Sequence, residues 1–516
     1  MPLAVQALLP FMALLIAAAV VWRRPRHPEN GWIAVGATGL AALVSVIELL
    51  RLAPGERVDV PYLTTFPYAD LAIRLDALSL AFSAVMLTTA ALLMLVRLRM
   101  PGDRRDPWPS WLLTSAAALA VLLAPSLLLD YIALQVLTLA WSGTLDEAAP
   151  RQRPLRLAIG VADVGLLLAA ASAIESVGTS AFSGVPSDTL GPAAFLFALL
   201  PVLTRVAALA LPSSGPAAPV AFEPAVVFAA PAGYLLLRLV ALMGGHLPGR
   251  PLEIAVFSAS LLLAATSALL LFFGRRERPP ALLLITQAAI ALALLASSAP
   301  VLGVASIWIW LQLILLTGLC SVHLPLKRPA GALALIALAM LPGSAAFIGL
   351  WIAAVGLRAS GQLAALLAAT AVVIVAAIAA LSRLRPVERW TIDVAAVWGA
   401  GLLVAAAFPA LLLSSLVLPA GQAVRPVAPG SFTLSLFGFS LARTPWPAPL
   451  ATLVLVVASV ALLRTDRLGV DRSLTLRLPS LPRPSRRVSL RVSRRWLGRG
   501  LWTAFFAVIA LAVLRP

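Results

Sequence analysis

The sequence predicts an all-α, polytopic membrane protein with about 14–16 transmembrane helices, and three observations carry that expectation. The 516-residue chain is 61% hydrophobic and only 12% charged, whereas a water-soluble chain holds about a quarter charged residues. Apolar segments long enough to cross a hydrocarbon core about 30 Å thick, which takes about 20 helical residues, recur from one end to the other. Arginine clusters follow alternate segments, as loops retained on the cytoplasmic side require. Composition also excludes much. Cys320 is the single cysteine and there are three histidines, so disulfide frameworks, cysteine metal sites and a zinc centre are not expected, and no cofactor is called for. A net charge of +18 would suggest nucleic-acid binding in a soluble chain. With a mean hydropathy of +0.99 it indicates basic loops at a membrane surface instead, and no nucleic-acid partner.

In order, the segments are 3–22, 31–50, 75–96, 109–127, 129–145, 157–177, 190–211, 219–244, 253–274, 280–298, 301–322, 330–355, 362–382, 393–417, 447–463 and 500–514. The first lacks a small-residue cleavage site before Arg23-Arg24 and reads as a retained helix. Basic clusters at Arg23/Arg24/Arg26, Arg97/Arg99/Arg104/Arg105, Arg151/Arg153/Arg156, Arg275/Arg276/Arg278, Lys327/Arg328, Arg383/Arg385/Arg389 and 464–499 follow odd-numbered segments. Loops after even-numbered segments hold Arg51, Arg57, Arg250, Arg358, Arg425 and Arg443, singly or in separated pairs. Both termini are therefore expected outside the cytoplasm. The chain divides into N-terminal helices (1–68), a transmembrane core (69–417), a non-cytoplasmic loop (418–446) and a C-terminal part (447–516). In that last part, 464–499 holds eleven arginines, and the prolines of LPSLPRP prevent one continuous helix. Val488, Val492 and Trp496 recur every four residues beside Arg487, Arg491 and Arg495. That pattern predicts an interfacial helix which, with Arg486 and Arg494, meets anionic lipid headgroups; a basic linker would use the same letters.

Ionisable groups inside a bilayer are costly, so each is a site candidate. Glu48 and Arg51 are three residues apart and read as an interfacial pair. Asp70, Arg74 and Asp76 precede the third segment, where a carboxylate suits a helix N-terminus. Asp130 and Asp393, at segment starts, read as caps. Trp308, Trp310 and Trp351 read as packing between helices or at an interface. There is no Walker motif, dinucleotide-binding glycine pattern, Cys-x-x-Cys or nucleophile elbow, and no acid or histidine cluster outside the segments for acid–base chemistry.

Residues 74–97, RLDALSLAFSAVMLTTAALLMLVR, resemble the start of the third helix in the antiporter-like subunits of respiratory complex I and Mrp-type sodium/proton antiporters. Asp76 matches the family aspartate, and Ala77 replaces its glycine. IGVADVGLLLA at 159–169 resembles the sixth-helix signature of the large L-type subunit, with Asp163 and Gly165 retained and its Asn-Arg lost. LPSSGPAAPVAFEPAVVFAAPAGYLLLRL at 211–239 resembles the seventh-to-eighth-helix segment, with two residues deleted after the Leu-Pro. LPGSAAFIGLW at 341–351 resembles the twelfth-helix segment. The four matches are collinear and cover roughly residues 70–360.

The resemblance implies two inverted five-helix repeats, each with a helix broken at mid-membrane, where exposed backbone dipoles suit ions. Pro212 with Gly215-Pro216 and Leu341-Pro342-Gly343 are the candidate breaks, though proline-containing loops would look the same. It also implies a central charge file of a fifth-helix glutamate, lysines in the seventh, tenth or eleventh and twelfth regions, and an eighth-helix histidine. Here those positions fall on Leu139 or Ser142, Pro201, Pro224, Trp310 or Gln312, and Leu350 or a neighbour, all uncharged. Arg205, one turn beyond Pro201, and Glu223, beside Pro224, are expected either to pair as a rewired ion pair bordering a hydrated cavity or to hold two helices together. Thr286-Gln287 stands where the family has Ser-x or Ser-Gln, and Gln287, Gln312, Thr317 and Arg205 are candidates to line a water-filled route.

The function expected is a membrane-arm subunit of a complex I-like (NADH:quinone oxidoreductase-type) or Mrp-like cation-translocating assembly. Proton translocation is expected to be reduced or lost, with no redox centre in this chain. Other membrane subunits and anionic lipids are the expected partners, and the cell (inner) membrane the location. An independent cation/proton antiporter of the same fold and a purely structural membrane subunit are the alternatives.

Overall fold

The computed structural model describes residues 3–455 except 54, 64–70, 100–106, 143–152, 188, 210–219, 274–278, 323–328, 339, 342, 382–393, 429, 436–437, 442–443, 447–448, 450 and 454. The candidate lipid-facing Arg486, Arg487, Arg491, Arg494 and Arg495, and Pro212, Gly215, Pro216 and Pro342, lie outside the described residues.

Helices dominate. They are α1 (Leu3–Arg23), α2 (Asn30–Arg51), α3 (Ala77–Arg99), α4 (Trp108–Leu122), α5 (Leu127–Ser142), α6 (Arg153–Val177) and α7 (Pro192–Ala208). After these come α8 (Pro224–Leu242), α9 (Arg250–Phe273), α10 (Pro279–Leu295), α11 (Pro300–Ser321), α12 (Pro329–Leu338), α13 (Ala345–Ala359), α14 (Leu363–Leu381), α15 (Val394–Ala407) and α16 (Pro409–Val424). Among the described residues, eight helices are long and apolar enough to cross a membrane. Five shorter apolar helices lie beside them, and α15 with α16 forms a further apolar pair bent by 84°. This is a multi-pass membrane protein, and the elements track the expected segments closely.

Proline starts many of these helices. Pro192, Pro224, Pro300 and Pro409 stand in the first turn, where a missing N–H costs nothing and φ is already helical. Pro409 also ends what the sequence predicts as one segment over 393–417. The chain turns at Phe408 (φ −123°, ψ 58°), and α16 departs at a steep angle. The predicted segment 330–355 divides likewise, α12 ending at Leu338 and α13 starting at Ala345. Between them Met340 (φ 55°) and Gly343 (φ +91°) take left-handed backbone, and Ser344 caps α13 by accepting from the Phe347 amide. Gly343 is required twice over, because a Cβ there would also lie 2.3 Å from the Ala451 carbonyl oxygen. In the first half, α7 stops at Ala208 and the chain returns as a bridge between Val220 and Val322.

Burial separates central from peripheral helices. The most apolar stretches of α3, α8 and α11 are 78%, 94% and 89% buried, against 28–33% for α1, α2, α9 and α14. The centre is therefore a trio of helices apolar on every face. Ile16, Leu43, Val161, Leu262 and Leu367 point outward from the periphery, as suits a lipid-facing surface.

Strands are minor but unforeseen. β1 (Arg57–Leu63) and β2 (Leu71–Asp76) form an antiparallel hairpin with Arg57 opposite Asp76, leading directly into α3. The region 418–446, expected as a loop, instead completes α16 and then forms a meander of β3 (Phe432–Ser435), β4 (Gly438–Leu441) and β5 (Thr444–Trp446). Trp446 packs on Phe347 and Trp351 of α13, with ring centroids 5.2 and 5.1 Å apart.

Candidate functional site

The first buried ion pair joins α6 to α7. Arg205 Nη1 donates to Asp163 Oδ1 at 2.5 Å and Nη2 to Oδ2 at 3.1 Å, and neither side chain is exposed. Two parallel N–H···O bonds match the planar guanidinium to the planar carboxylate. This corrects the expected pairing of Arg205 with Glu223: the partner is Asp163. Glu223 is buried one residue before the π-helical first turns of α8 (Pro224–Ala229), beside the Trp141 indole. Its Oε2 accepts no hydrogen bond among the described residues.

Local backbone explains the α6–α7 contact. Pro201 has no N–H to give the carbonyl of Phe197, four residues back. Gly165 of α6 approaches that carbonyl so closely that a Cβ there would lie 2.2 Å from the Phe197 oxygen. Asp163 and Gly165, read from the sequence as family-matching positions, thus serve the same contact, the glycine by admitting the neighbouring helix and the aspartate by anchoring its arginine.

A second cluster lies at the arginine-poor end. Asp76 caps α3 reciprocally, accepting from the Ser79 amide at 2.8 Å while its own amide donates to Ser79 Oγ at 3.1 Å. The expected helix-terminal role of Asp76 is therefore present, but the carboxylate does more. It also accepts from Arg74 Nε at 3.0 Å and from both terminal nitrogens of Arg238 at 2.7 and 2.9 Å. Arg238 donates further to the Tyr234 hydroxyl, and Phe182 lies against both guanidiniums, 5.7 Å from Arg74 and 5.5 Å from Arg238. Asp130 belongs here too and is not a cap. The Ser126 hydroxyl accepts from the Leu129 amide instead, and the Asp130 carboxylate is fully buried. Arg238 sits in the apolar run YLLLRLVAL; a lone arginine inside a central helix was the sequence signal for it.

In the second half, Gln312 Nε2 donates to Gln287 Oε1 at 3.1 Å, and Gln287 Nε2 donates to the Leu338 carbonyl at 3.0 Å, where α12 ends. These two glutamines come together as expected, beside Ile290, Ile309, Met340, Ala346 and Leu350, around a gap too narrow to admit a water molecule. Thr317 turns back onto its own helix, donating to the Leu313 carbonyl at 2.6 Å. Arg205 pairs in α6–α7, away from the glutamines of α10–α11, so the four proposed lining residues do not form one cluster.

Of the uncharged replacements, Trp310 and Pro201 are packed as core. Trp310 is fully buried, and its ring lies where Gly233 of α8 leaves room: a Cβ on Gly233 would be 2.7 Å from Trp310 and 3.0 Å from Phe82. Of the two candidate glutamate positions in α5, Leu139 points outward at 70% exposure, whereas its neighbour Trp141 is buried. Arg425, expected in an external loop, is buried after α16. It donates to the Leu295 carbonyl at 2.6 Å and to the carbonyls of Gly245 and Ser297, so it satisfies the end of α10 and the turn after α8.

No protein-family profile and no curated protein matches the sequence. Solved structures do match in fold. A chain of the Mrp complex from Dietzia sp. DQ12-45-1b superposes with a TM-score of 0.67 at 17% identity, over 100% of this chain and 60% of that one. This chain thus spans about three-fifths of that Mrp chain. A chain of the membrane-bound sulfane sulfur reductase, an archaeal respiratory membrane complex, gives 0.69 at 16% identity, covering 99% and 93%. A chain of respiratory complex I from Thermus thermophilus gives 0.59 at 18% identity, covering 79% and 98%. The chain has the fold of antiporter-like membrane-arm subunits, as the four collinear sequence segments imply.

Proposed function

We propose that the chain is a membrane-arm subunit of a complex I-like or Mrp-like assembly, divergent in that proton translocation through it is reduced or lost. One observation carries this reading. Glu223 just before α8 and Tyr234 with Arg238 toward its other end are separated by roughly three turns of helix. The interval holds Phe228 and Gly233, with Trp310 and Phe82 packed against the glycine. A proton needs a relay of titratable groups or water, and an aromatic and aliphatic layer offers neither. The position that the resemblance gives to a lysine falls on Trp310, or on Gln312 under a small shift, and both are uncharged.

The chain's own residues serve packing and registration on this reading. Asp163–Arg205 ties the consecutive helices α6 and α7, Asp76–Arg238 ties the start of α3 to α8, and Arg425 fastens α16 over the ends of α10 and α8. Its partners are other membrane subunits and anionic lipids at the basic surfaces, its location is the cell (inner) membrane, and it carries no redox centre. Gln287, Gln312, Thr317, Arg205 and Glu223 are the groups a residual water route would use. The independent antiporter is the rival reading.

The test is purification of the tagged full chain under mild solubilisation, with mass spectrometry of its companions and proton-uptake assays of the reconstituted chain. Co-purification with complex I-like or Mrp-like subunits, and no uptake by the chain alone, is expected. A chain that runs alone and exchanges cations for protons overturns the proposal in favour of the independent antiporter.

A further inference from the structure

Asp130 differs from the paired carboxylates Asp76 and Asp163 and, unlike Glu223 with one unpartnered oxygen, has both of its oxygens unpartnered among the described residues. Asp76 accepts five hydrogen bonds, from Ser79, Arg74 and Arg238, and Asp163 holds Arg205 bidentately. Both oxygens of Asp130 are fully buried and accept no hydrogen bond among the described residues. It also lies at the opposite end of α5 from Leu139 and Ser142, where the resemblance places an acid.

The surroundings pull in two directions. A buried carboxylate without donors is unstable as an anion and stable as a neutral acid. Arg238 and Arg74 place positive charge in the same cluster. Both are already engaged by Asp76, and Arg74 Nη1 is buried without a hydrogen-bond partner. With Asp130 ionised the two arginines and two aspartates are balanced; with it protonated the cluster carries one positive charge. The packed elements also carry Tyr131 of α5, Arg156 near the start of α6 and Glu223 just before α8. Tyr234 of α8 bonds to Arg238, Asp163 of α6 bonds to Arg205, and Glu175 at the end of α6 is exposed. The described part of α4 holds no titratable group.

One short segment covers the turn that carries Asp130. Asp130 lies in the first turn of α5, at the arginine-poor end. The segment Ser180–Phe182 covers that turn through Leu127 N to Ser180 O at 3.1 Å and Phe182 N to Pro125 O at 3.0 Å, and lays the Phe182 ring over both guanidiniums.

We propose that Asp130 is a proton-binding site of the arginine-poor half of the membrane domain, exchanging its proton with solvent beneath the Ser180–Phe182 cover. Uptake moves one proton from a solvent hydronium to a carboxylate oxygen, giving a neutral acid and water; release reverses this. The site does not depend on the subunit assignment, because it is a property of the isolated chain.

Infrared pH-difference spectra of the lipid-reconstituted full chain test it. The wild type should show a protonated-carboxyl C=O band that is missing from Asp130→Asn, shifted in Asp130→Glu and retained in Glu223→Gln. The thermal midpoint of the wild type should meet that of Asp130→Asn at acid pH and separate from it at alkaline pH. Phe182→Ala should keep the band and speed its hydrogen–deuterium exchange several-fold. Spectra of Asp130→Asn and Asp130→Glu that superpose on the wild type would overturn the proposal, leaving Asp130 a permanently ionised member of the lattice. A gap in thermal midpoint between wild type and Asp130→Asn that is equal at both pH values would do the same.

Discussion

Breaking the Asp163–Arg205 pair one side at a time tests the corrected pairing against the one expected from sequence. Both side chains are fully buried and joined by bonds of 2.5 and 3.1 Å. Asp163→Asn removes the charge and leaves the guanidinium uncompensated in a low-dielectric interior, a cost of about 3–5 kcal/mol. That is about a hundred- to a few-thousandfold in the folding equilibrium. Glu223→Gln removes a carboxylate whose Oε2 has no hydrogen-bond partner among the described residues, so its effect should stay within about 1 kcal/mol. Combining Asp163→Leu with Arg205→Met replaces the pair by apolar groups and should recover most of the loss, since a well-packed apolar substitute is often neutral for a buried pair. Reversible unfolding in mixed micelles, followed by circular dichroism, gives all three values. A larger loss for Glu223→Gln than for Asp163→Asn would refute the pairing. A double variant no better than Asp163→Asn would show that packing, not charge, holds α6 to α7.

Three further outcomes follow from the packing. Gly165→Ala should destabilise by about 3 kcal/mol, because the obstacle is the Phe197 backbone oxygen and not a movable side chain, and a thermal-shift assay reads it. Trp310→Lys should cost more than about 4 kcal/mol in the same unfolding assay, by removing a fully buried ring and burying an unpaired ammonium. It should also leave proton uptake by proteoliposomes unchanged, whereas a gain in uptake would contradict the dry interior assigned here. Arg425→Gln strips a guanidinium from the carbonyls of Gly245, Leu295 and Ser297, a loss of about 2–4 kcal/mol. Hydrogen exchange should rise at the end of α10 and in 243–249 while α1 and α2 stay protected.

Much of this protein was legible as one-dimensional pattern. Apolar run length locates the helices because a bilayer accepts backbone only with its hydrogen bonds closed internally. Pro300 and Pro192 mark starts for an equally local reason. The division of 330–355 around Leu341-Pro342-Gly343 was also visible, since glycine and proline there cannot continue a helix. The resemblance carried the fold further than periodicity did, because central helices such as α3 and α11 are apolar all round and their letters do not say which neighbour each face meets.

Tertiary structure alone decided the rest. Helix spacing brought Arg205 near Glu223 in prospect, yet a guanidinium takes the carboxylate whose plane it can meet with two bonds, and that is Asp163, 42 positions away in α6. Asp76 and Asp130 read alike in sequence, each an acid at a segment start. One gathers two arginines and a serine while the other is left without a donor. Arg425 reads as one of a few isolated external arginines until the 84° bend at Phe408 turns α16 so that it meets three carbonyls at once. Run length and breaker residues are properties of a segment and act within a few residues of it. Partner choice among buried charges depends on where several helices, fixed by packing elsewhere, place their donors relative to one carboxylate, and that sum is taken only in the folded chain.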